Sequence, residues 1–213
     1  MTWDISDLQS KFATWSKRSN AASYFADCIV LAEAEFNARI QHPNNLAIDT
    51  AFAINTETVT PPTDFASFKD MFINDASRSP VRFATNGSMV WLNGARSGTP
   101  EYVGYFERKL RFSPIPSAGT TATFRYYTKI PPLDGVTNTT NWLIEEFPHA
   151  YLYGALVHLG ELVEDDPRVA AWATRLERVY AQIKKHAEAL EYGSGPLTMQ
   201  VEGSGAIDIY SRG

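Results

Sequence analysis

The sequence predicts an α+β fold with a helical bundle core, an inserted antiparallel β domain and an extended C-terminal arm. Toward both ends of the chain, apolar residues recur every three or four positions, which is the spacing of one buried helix face. Between them, β-branched and aromatic residues are broken by turn signals, as in short strands. Beyond residue 190, glycines interrupt any helical period. The predicted divisions are N-terminal helices of the core (1–45), the β domain (46–135), a helical hairpin that completes the core (136–190) and the arm (191–213).

The composition restricts the class of protein. Of the 213 residues, 44% are hydrophobic and 20% are charged, which is typical of a globular chain rather than a disordered one. The net charge of −5 argues against a nucleic-acid-binding surface, since phosphate binding needs clustered Lys and Arg side chains. The sequence contains neither a signal-peptide pattern nor a long apolar run, so we expect synthesis in the cytoplasm and no membrane contact. Cys28 lies in an apolar helical stretch and is predicted to be buried.

Two helices are predicted near the N-terminus. The first covers residues 4–16, and its apolar face comprises Ile5, Leu8, Phe12 and Trp15. The second covers residues 23–41, with Asn20 or Ser23 as its cap. Its apolar face comprises Phe25, Ile29, Ala32, Phe36 and Ile40. Pro43 ends this helix, because the residue before a proline is driven out of the helical conformation.

Short strands are predicted between residues 47 and 132. Asn86-Gly87 predicts a tight hairpin, because both residues tolerate the positive φ of a type I′ turn. The predicted strands are 56–60, 81–85, 88–92, 102–106, 109–112 and 121–129. Strands of this length and spacing favour an antiparallel sandwich or a barrel-like insert.

Helical spacing returns after Gly135. Pro148 fits the first turn of a helix whose buried stripe comprises Tyr151, Leu152, Ala155, Leu159 and Leu162. Gly154 and Gly160 weaken that helix and therefore indicate the close approach of another helix or chain. The turn at 164–167 is predicted to cap a longer helix. Its apolar face comprises Trp172, Leu176, Val179, Ile183 and Leu190.

The segment 191–213 contains five glycines and two apolar clusters that alternate with period two. Alternation of this kind suits a strand added to a partner's sheet, and a disordered terminus is the alternative. The predicted partner-binding residues are Leu197, Met199, Val201, Ile207, Ile209 and Tyr210.

The sequence predicts no catalytic, cofactor-binding or metal site. Motifs for phosphate binding, nucleophilic catalysis or thiol redox chemistry are missing from it. We expect the four histidines not to cluster; they are His42, His149, His158 and His186. Glu146 and His149 have the Glu-x-x-His spacing of di-metal bundles, but such sites need a second pair and further carboxylates. We therefore interpret these side chains as surface or interface residues.

Several segments resemble the head–tail adaptor proteins of tailed bacteriophages, also called neck or connector proteins. The segments are Tyr126-Tyr127, Ile130-Pro131-Pro132-Leu133, Asn141-Trp142-Leu143, Tyr151-Leu152-Tyr153-Gly154-Ala155-Leu156, Asp165-Asp166-Pro167-Arg168, Trp172 and Tyr180. The order of helices, β region, helix hairpin and arm is similar too.

The resemblance implies a virion structural protein rather than an enzyme. Such adaptors form a homo-oligomeric ring of about twelve copies between the portal and the tail or nozzle, with closed cyclic symmetry. The DNA passes through the ring during genome ejection without specific binding, and the C-terminal arms reach the portal. An acidic protein suits a channel that must not retain DNA. The implied location is the head–tail junction of the virion.

Two alternatives remain open at the level of the sequence. The chain can be a different ring of the neck, such as a tail terminator or head-closure protein. It can also be a carbohydrate-binding or hydrolytic module in which the β region holds a cleft, since carboxylate pairs of that kind are defined by separation in space.

Overall fold

The computed structural model describes residues 2–85, 87–89, 96–163 and 167–192. The α-helices are α1 (Ile5–Ser16), α2 (Ala21–Arg39), α3 (Trp142–Glu146), α4 (Pro148–Leu162) and α5 (Val169–Tyr192), and Pro43–Asn45 form a 3-10 turn. Within these ranges, none of the helices combines the length and the apolar character needed to span a bilayer.

Helix ends follow local capping chemistry. Asp4 accepts a hydrogen bond from the backbone N–H of Asp7, and the side chain of Asp7 accepts one from the backbone N–H of Asp4. This reciprocal capping box starts α1, and Lys17 ends it in the left-handed conformation (φ 52°). Asn20 precedes α2, as predicted, but its side chain makes no capping hydrogen bond. Pro148 occupies the first turn of α4, as predicted.

The strands that the structure describes form one seven-stranded sheet. They are β1 (Leu46–Ala53), β2 (Thr58–Val59), β3 (Phe65–Ile73), β4 (Pro80–Phe83), β5 (Tyr102–Phe106), β6 (Lys109–Ser113) and β7 (Thr121–Thr128). Their order across the sheet is β1-β7-β3-β4-β5-β6-β2. The pair β4–β5 is parallel and the other pairs are antiparallel. In the β5–β6 hairpin, Glu107 and Arg108 both have positive φ (49° and 61°), so the turn is tight although it contains no glycine.

The predicted fold class, a helical bundle core with an inserted antiparallel β domain, is wrong. The chain has mixed α and β content, with a sheet that includes a parallel pair. The Asn86-Gly87 signal misled because residues 87–89 are helical, and β4 pairs with β5 instead of with 88–92. Met89 is buried against Gly104, where an added Cβ would lie 2.6 Å from Met89 Cγ. Burial of Met89 therefore takes precedence over local turn preference. Asn86 and residues 90–92 lie outside the described ranges.

Buried side chains form two clusters. The helical cluster includes Leu8, Phe12, Phe36 and Tyr151, and Cys28 and Trp172 are buried in it as predicted. The second cluster lies on the sheet and includes Ile54, Phe112 and Phe124. The glycine prediction is also confirmed. A Cβ on Gly154 would lie 3.0 Å from the Phe36 ring of α2, and one on Gly160 would lie 2.1 Å from Val169 Cγ2 of α5.

Some predicted core positions lie at the ends of their helices and are not buried. Trp15 is 40% exposed, Leu162 55% and Leu190 52%. On α5, Ala187 is the last buried residue, because the helix extends past the helical cluster and its end reaches the sheet. Hydrophobic spacing along a helix cannot show where its packing partner ends.

Candidate functional site beside helix α5

A groove of about 970 Å³ separates the C-terminal half of α5 from the end of α2 and from strands β3 and β7. Its walls carry both charged and aromatic side chains, including Arg39, Lys69, Tyr127, Tyr180, Glu188 and Tyr192. The groove is thus the place where the helices meet the sheet. Tyr192, the last residue of α5, is part of its wall.

An ion-pair network fixes the middle of α5 to α2. The guanidinium of Arg39 donates two hydrogen bonds of 2.8 Å to the Glu177 carboxylate and one of 2.9 Å to Glu35. It also lies 4.0 Å from the ring centroid of Tyr180. The bonds to Glu177 raise the pKa of Arg39 and lower the pKa of Glu177. Since these groups are largely exposed, the network orients α5 more than it stabilises the fold.

A second contact fixes the last turn of α5 to the sheet. The ammonium of Lys69, on β3, forms an ion pair with the carboxylate of Glu191. Lys69 Nζ also lies 5.6 Å from the ring centroid of Tyr127, on β7. The bond to Glu191 raises the pKa of Lys69, so the charged form is the one that this contact holds. The helix therefore ends at a defined place over strands β3 and β7.

A third contact brings together side chains that are far apart in sequence. His42 Nε2 lies 3.1 Å from His186 Nδ1, and His186 Nδ1 lies 3.8 Å from Glu146 Oε2. The His42 ring stacks on Trp142 with centroids 4.4 Å apart, and it is fully buried. Asn44 Nδ2 donates to Glu146 Oε1 at 2.9 Å. This histidine cluster joins the α2–β1 connection, α3 and α5.

The tautomer of His42 follows from its neighbours. The backbone N–H of Asn44 donates to His42 Nδ1 at 3.1 Å, so in the neutral ring the proton sits on Nε2 and is donated to His186 Nδ1. Burial lowers the pKa of His42; Glu146 opposes the shift and His186 adds to it. His42 is therefore neutral at pH 7.

A buried polar network joins three helices to the segment after β7. Glu33 Oε1 accepts hydrogen bonds from the Leu133 N–H (2.7 Å) and the Tyr151 hydroxyl (3.2 Å). Asn141 Nδ2 donates to the Tyr151 oxygen and to the Pro131 carbonyl, both at 2.7 Å. The side-chain oxygen Oδ1 of Asn141 accepts from the Ile144 N–H and so caps α3. Several residues on which the adaptor resemblance depends therefore hold α2, α3, α4 and the segment after β7 together.

Comparison with protein families decides the assignment. The model of the SU10 adaptor protein family matches residues 3–200. The chain belongs to this family. SU10 adaptors are structural proteins of bacteriophage virions, and the predicted resemblance to head–tail adaptors is confirmed. No curated protein matches the chain.

Sequence reasoning on this SU10 adaptor missed the histidine cluster. His42 and His186 are 144 positions apart in the sequence but in contact in the structure, so the prediction that the histidines do not cluster is wrong. The Glu146–His149 pair is not brought together in a site; Glu146 faces the histidine cluster, whereas His149 Nε2 lies 3.3 Å from Gln182 Oε1. His158 Nδ1 lies 3.2 Å from Glu161 Oε2 on the same helix. Spacing along the chain carried no signal for a cluster assembled from three elements.

The predicted partner-binding residues of the arm all lie outside the described ranges. They are Leu197, Met199, Val201, Ile207, Ile209 and Tyr210. The described part of the chain ends at Tyr192, the last residue of α5.

Proposed function

We propose that this protein forms a ring between the portal and the tail of a bacteriophage, extends the DNA channel, and docks through its C-terminal arm. Membership of the SU10 adaptor family supports an adaptor role. A net charge of −5 supports passage of DNA without retention, since the chain as a whole repels phosphate.

The observation that carries the docking proposal is the way α5 ends. This helix is held against α2 by Arg39–Glu177 near its middle, and against the sheet and α3 by Lys69–Glu191 and the histidine cluster toward its end. The 21 residues 193–213 follow directly. At about 3.3 Å per residue, a segment of this length reaches about 70 Å when extended. A fixed base with a long following segment supports contact with a neighbouring ring.

In this proposal the arm binds the portal as an added strand. Leu197, Met199 and Val201 alternate with Thr198 and Gln200, so one side of an extended arm would be apolar. Ile207, Ile209 and Tyr210 supply a second apolar group. Backbone pairing would provide affinity and the alternating side chains would provide register.

Contacts between copies would come from the outer face of α2. Val30 and Leu31 are 64% and 52% exposed in the single chain, next to each other on a helix whose other side is buried. A ring of identical copies needs a heterologous contact in which one surface meets a different one on the next copy. An apolar pair on a well-packed helix suits one half of that contact.

Deletion of residues 196–213 tests the docking role. We expect the truncated chain to fold, because every described contact lies before residue 193, and to lose binding to purified portal rings. Circular dichroism and thermal unfolding would verify the fold. Truncated protein that joins portal-bearing heads as the full chain does would contradict the proposal and would favour another ring of the neck.

A matched pair of triple variants sharpens this test. Substitution of Leu197, Met199 and Val201 by serine removes one apolar side and is expected to abolish portal binding. Substitution of the alternating Thr198, Gln200 and Glu202 by serine leaves that side intact and is expected to preserve binding. Equal losses in both variants would show that the arm does not bind as a strand.

A further inference from the structure

Three side chains in the histidine cluster offer metal-binding atoms at one point. His42, Glu146 and His186 each present one such atom, and these atoms all lie within 4.8 Å of one another. They come from the α2–β1 connection, from the end of α3 and from α5. This arrangement does not depend on the proposed arm or on the proposed adaptor role.

We propose that His42 Nε2, His186 Nδ1 and Glu146 Oε2 bind a divalent transition-metal cation of the Zn²⁺ class. Two imidazoles and one carboxylate are a ligand set that Zn²⁺ uses, with a fourth position for water. Metal–ligand bonds of about 2.0–2.1 Å place tetrahedral ligands about 3.3 Å apart. The separations of 3.1 Å between the two nitrogens and 3.8 Å between His186 and Glu146 lie close to that value.

Neighbouring groups already orient two of the three ligands. Asn44 donates to Glu146 Oε1 at 2.9 Å, which leaves Oε2 directed toward His186. Trp142 stacks on the His42 ring, and its Nε1 is held by Asn45 Oδ1 at 2.6 Å. Outer hydrogen bonds of this kind fix ligand geometry in metal sites.

Binding competes with the hydrogen bonds that the cluster makes without a cation. His42 would move its proton from Nε2 to Nδ1, which ends the bonds to His186 and from the Asn44 N–H. Because the Asn44 N–H would then face the new N–H at Nδ1 without an acceptor, the two losses together reduce cation affinity by about thirtyfold to a thousandfold. A bound cation would join α5 to α3 and to the start of the sheet.

Cobalt binding to the full-length protein tests the site. After treatment with a chelator, Co²⁺ is expected to bind one equivalent with the visible absorption of a tetrahedral complex, and Zn²⁺ is expected to displace it. His186→Ala should weaken binding at least about a hundredfold, more than the loss of an outer hydrogen bond does. His186 is partly exposed, so its replacement should leave the fold intact.

His149→Ala is the matched control, because His149 lies on α4 beside Gln182 and outside the cluster. It should bind Co²⁺ like the unaltered chain, and Glu146→Gln should resemble His186→Ala. Zn²⁺ should raise the Tm of the unaltered chain and of His149→Ala, and it should leave the Tm of His186→Ala and Glu146→Gln unchanged. Absence of saturable binding, or equal affinity in His186→Ala, would overturn the metal site and leave the histidines as a hydrogen-bonded pair.

Discussion

The two halves of α5 are held by different kinds of contact. In the first half, Trp172, Leu176 and Val179 are buried in the helical cluster. In the second half, Ile183 and Ala187 are still buried, and Lys69–Glu191 and the histidine cluster add polar contacts. The exposed pair Arg39–Glu177 lies near the middle of the helix. Apolar burial is worth far more per residue than an exposed ion pair. The large buried side chains of the first half therefore contribute more to stability, and the polar contacts of the second half fix the end of the helix.

The largest effect is expected at Trp172. Trp172→Ala removes a large buried side chain and should lower the free energy of unfolding by about 3–5 kcal/mol. Chemical denaturation at equilibrium measures this. A loss below about 1 kcal/mol would show that the first half of α5 does not carry the stability.

The buried network around Glu33 comes next. Glu33→Leu leaves the Leu133 N–H and the Tyr151 hydroxyl without their acceptor and should cost about 1–3 kcal/mol. Glu33→Gln keeps an acceptor oxygen and should cost less. Denaturation of both variants under one condition decides between them, and equal losses would mean that the acceptor is unimportant.

The same pair of variants predicts a pH dependence. Burial raises the pKa of Glu33 above its ordinary value of 4.5, although the bonds from Leu133 and Tyr151 oppose the shift. The unfolded chain therefore loses this proton first as pH rises, and the stability that Glu33 contributes falls above about pH 4.5. Glu33→Gln cannot ionise, so it should gain stability relative to the unaltered chain between pH 4.5 and neutrality. A difference independent of pH would refute the burial argument.

A smaller effect is expected at Arg39. Arg39→Lys keeps the charge but loses the paired bonds to Glu177, and it should cost less than about 1 kcal/mol because both groups are largely exposed. The loss should shrink further at high salt. A loss as large as that of Trp172→Ala would contradict the view that apolar burial stabilises α5 more than exposed ion pairs do.

The smallest effect on stability is expected at Lys69. Lys69→Ala removes the ion pair with Glu191 and should change the free energy of unfolding by less than about 0.5 kcal/mol. Hydrogen exchange in the last turn of α5 should nevertheless become faster, while exchange around Trp172 stays unchanged. Unaltered exchange at Glu191 would show that this contact does not position the end of the helix.

Local patterns predicted the long helices and several strands, but they missed β1 and β3. The spacing of Leu8, Phe12 and Phe36 located α1 and α2, and alternation located β5, β6 and β7. The arrangement of the elements was not predictable in the same way. The parallel pair β4–β5 depends on Met89 packing against Gly104, a contact between distant residues that outweighs a strong turn signal.

The candidate site was harder to predict than the fold. The histidine cluster brings together the α2–β1 connection, the end of α3 and the second half of α5, and no short sequence motif predicts such a contact. The family resemblance was accessible because Asn141, Tyr151 and Leu133 belong to one buried network with strict geometric needs. The proposed portal-binding residues stay predictions.

The turn between β5 and β6 is a suitable site for labelling the protein in the assembled particle. Glu107 and Arg108 are exposed and connect two strands directly, so the loop tip should accept a short epitope with little effect on the rest of the chain. Phage carrying the tagged gene could be labelled with antibody fragments and imaged by electron microscopy. The radius and height of the label along the particle axis would then give the orientation of each subunit.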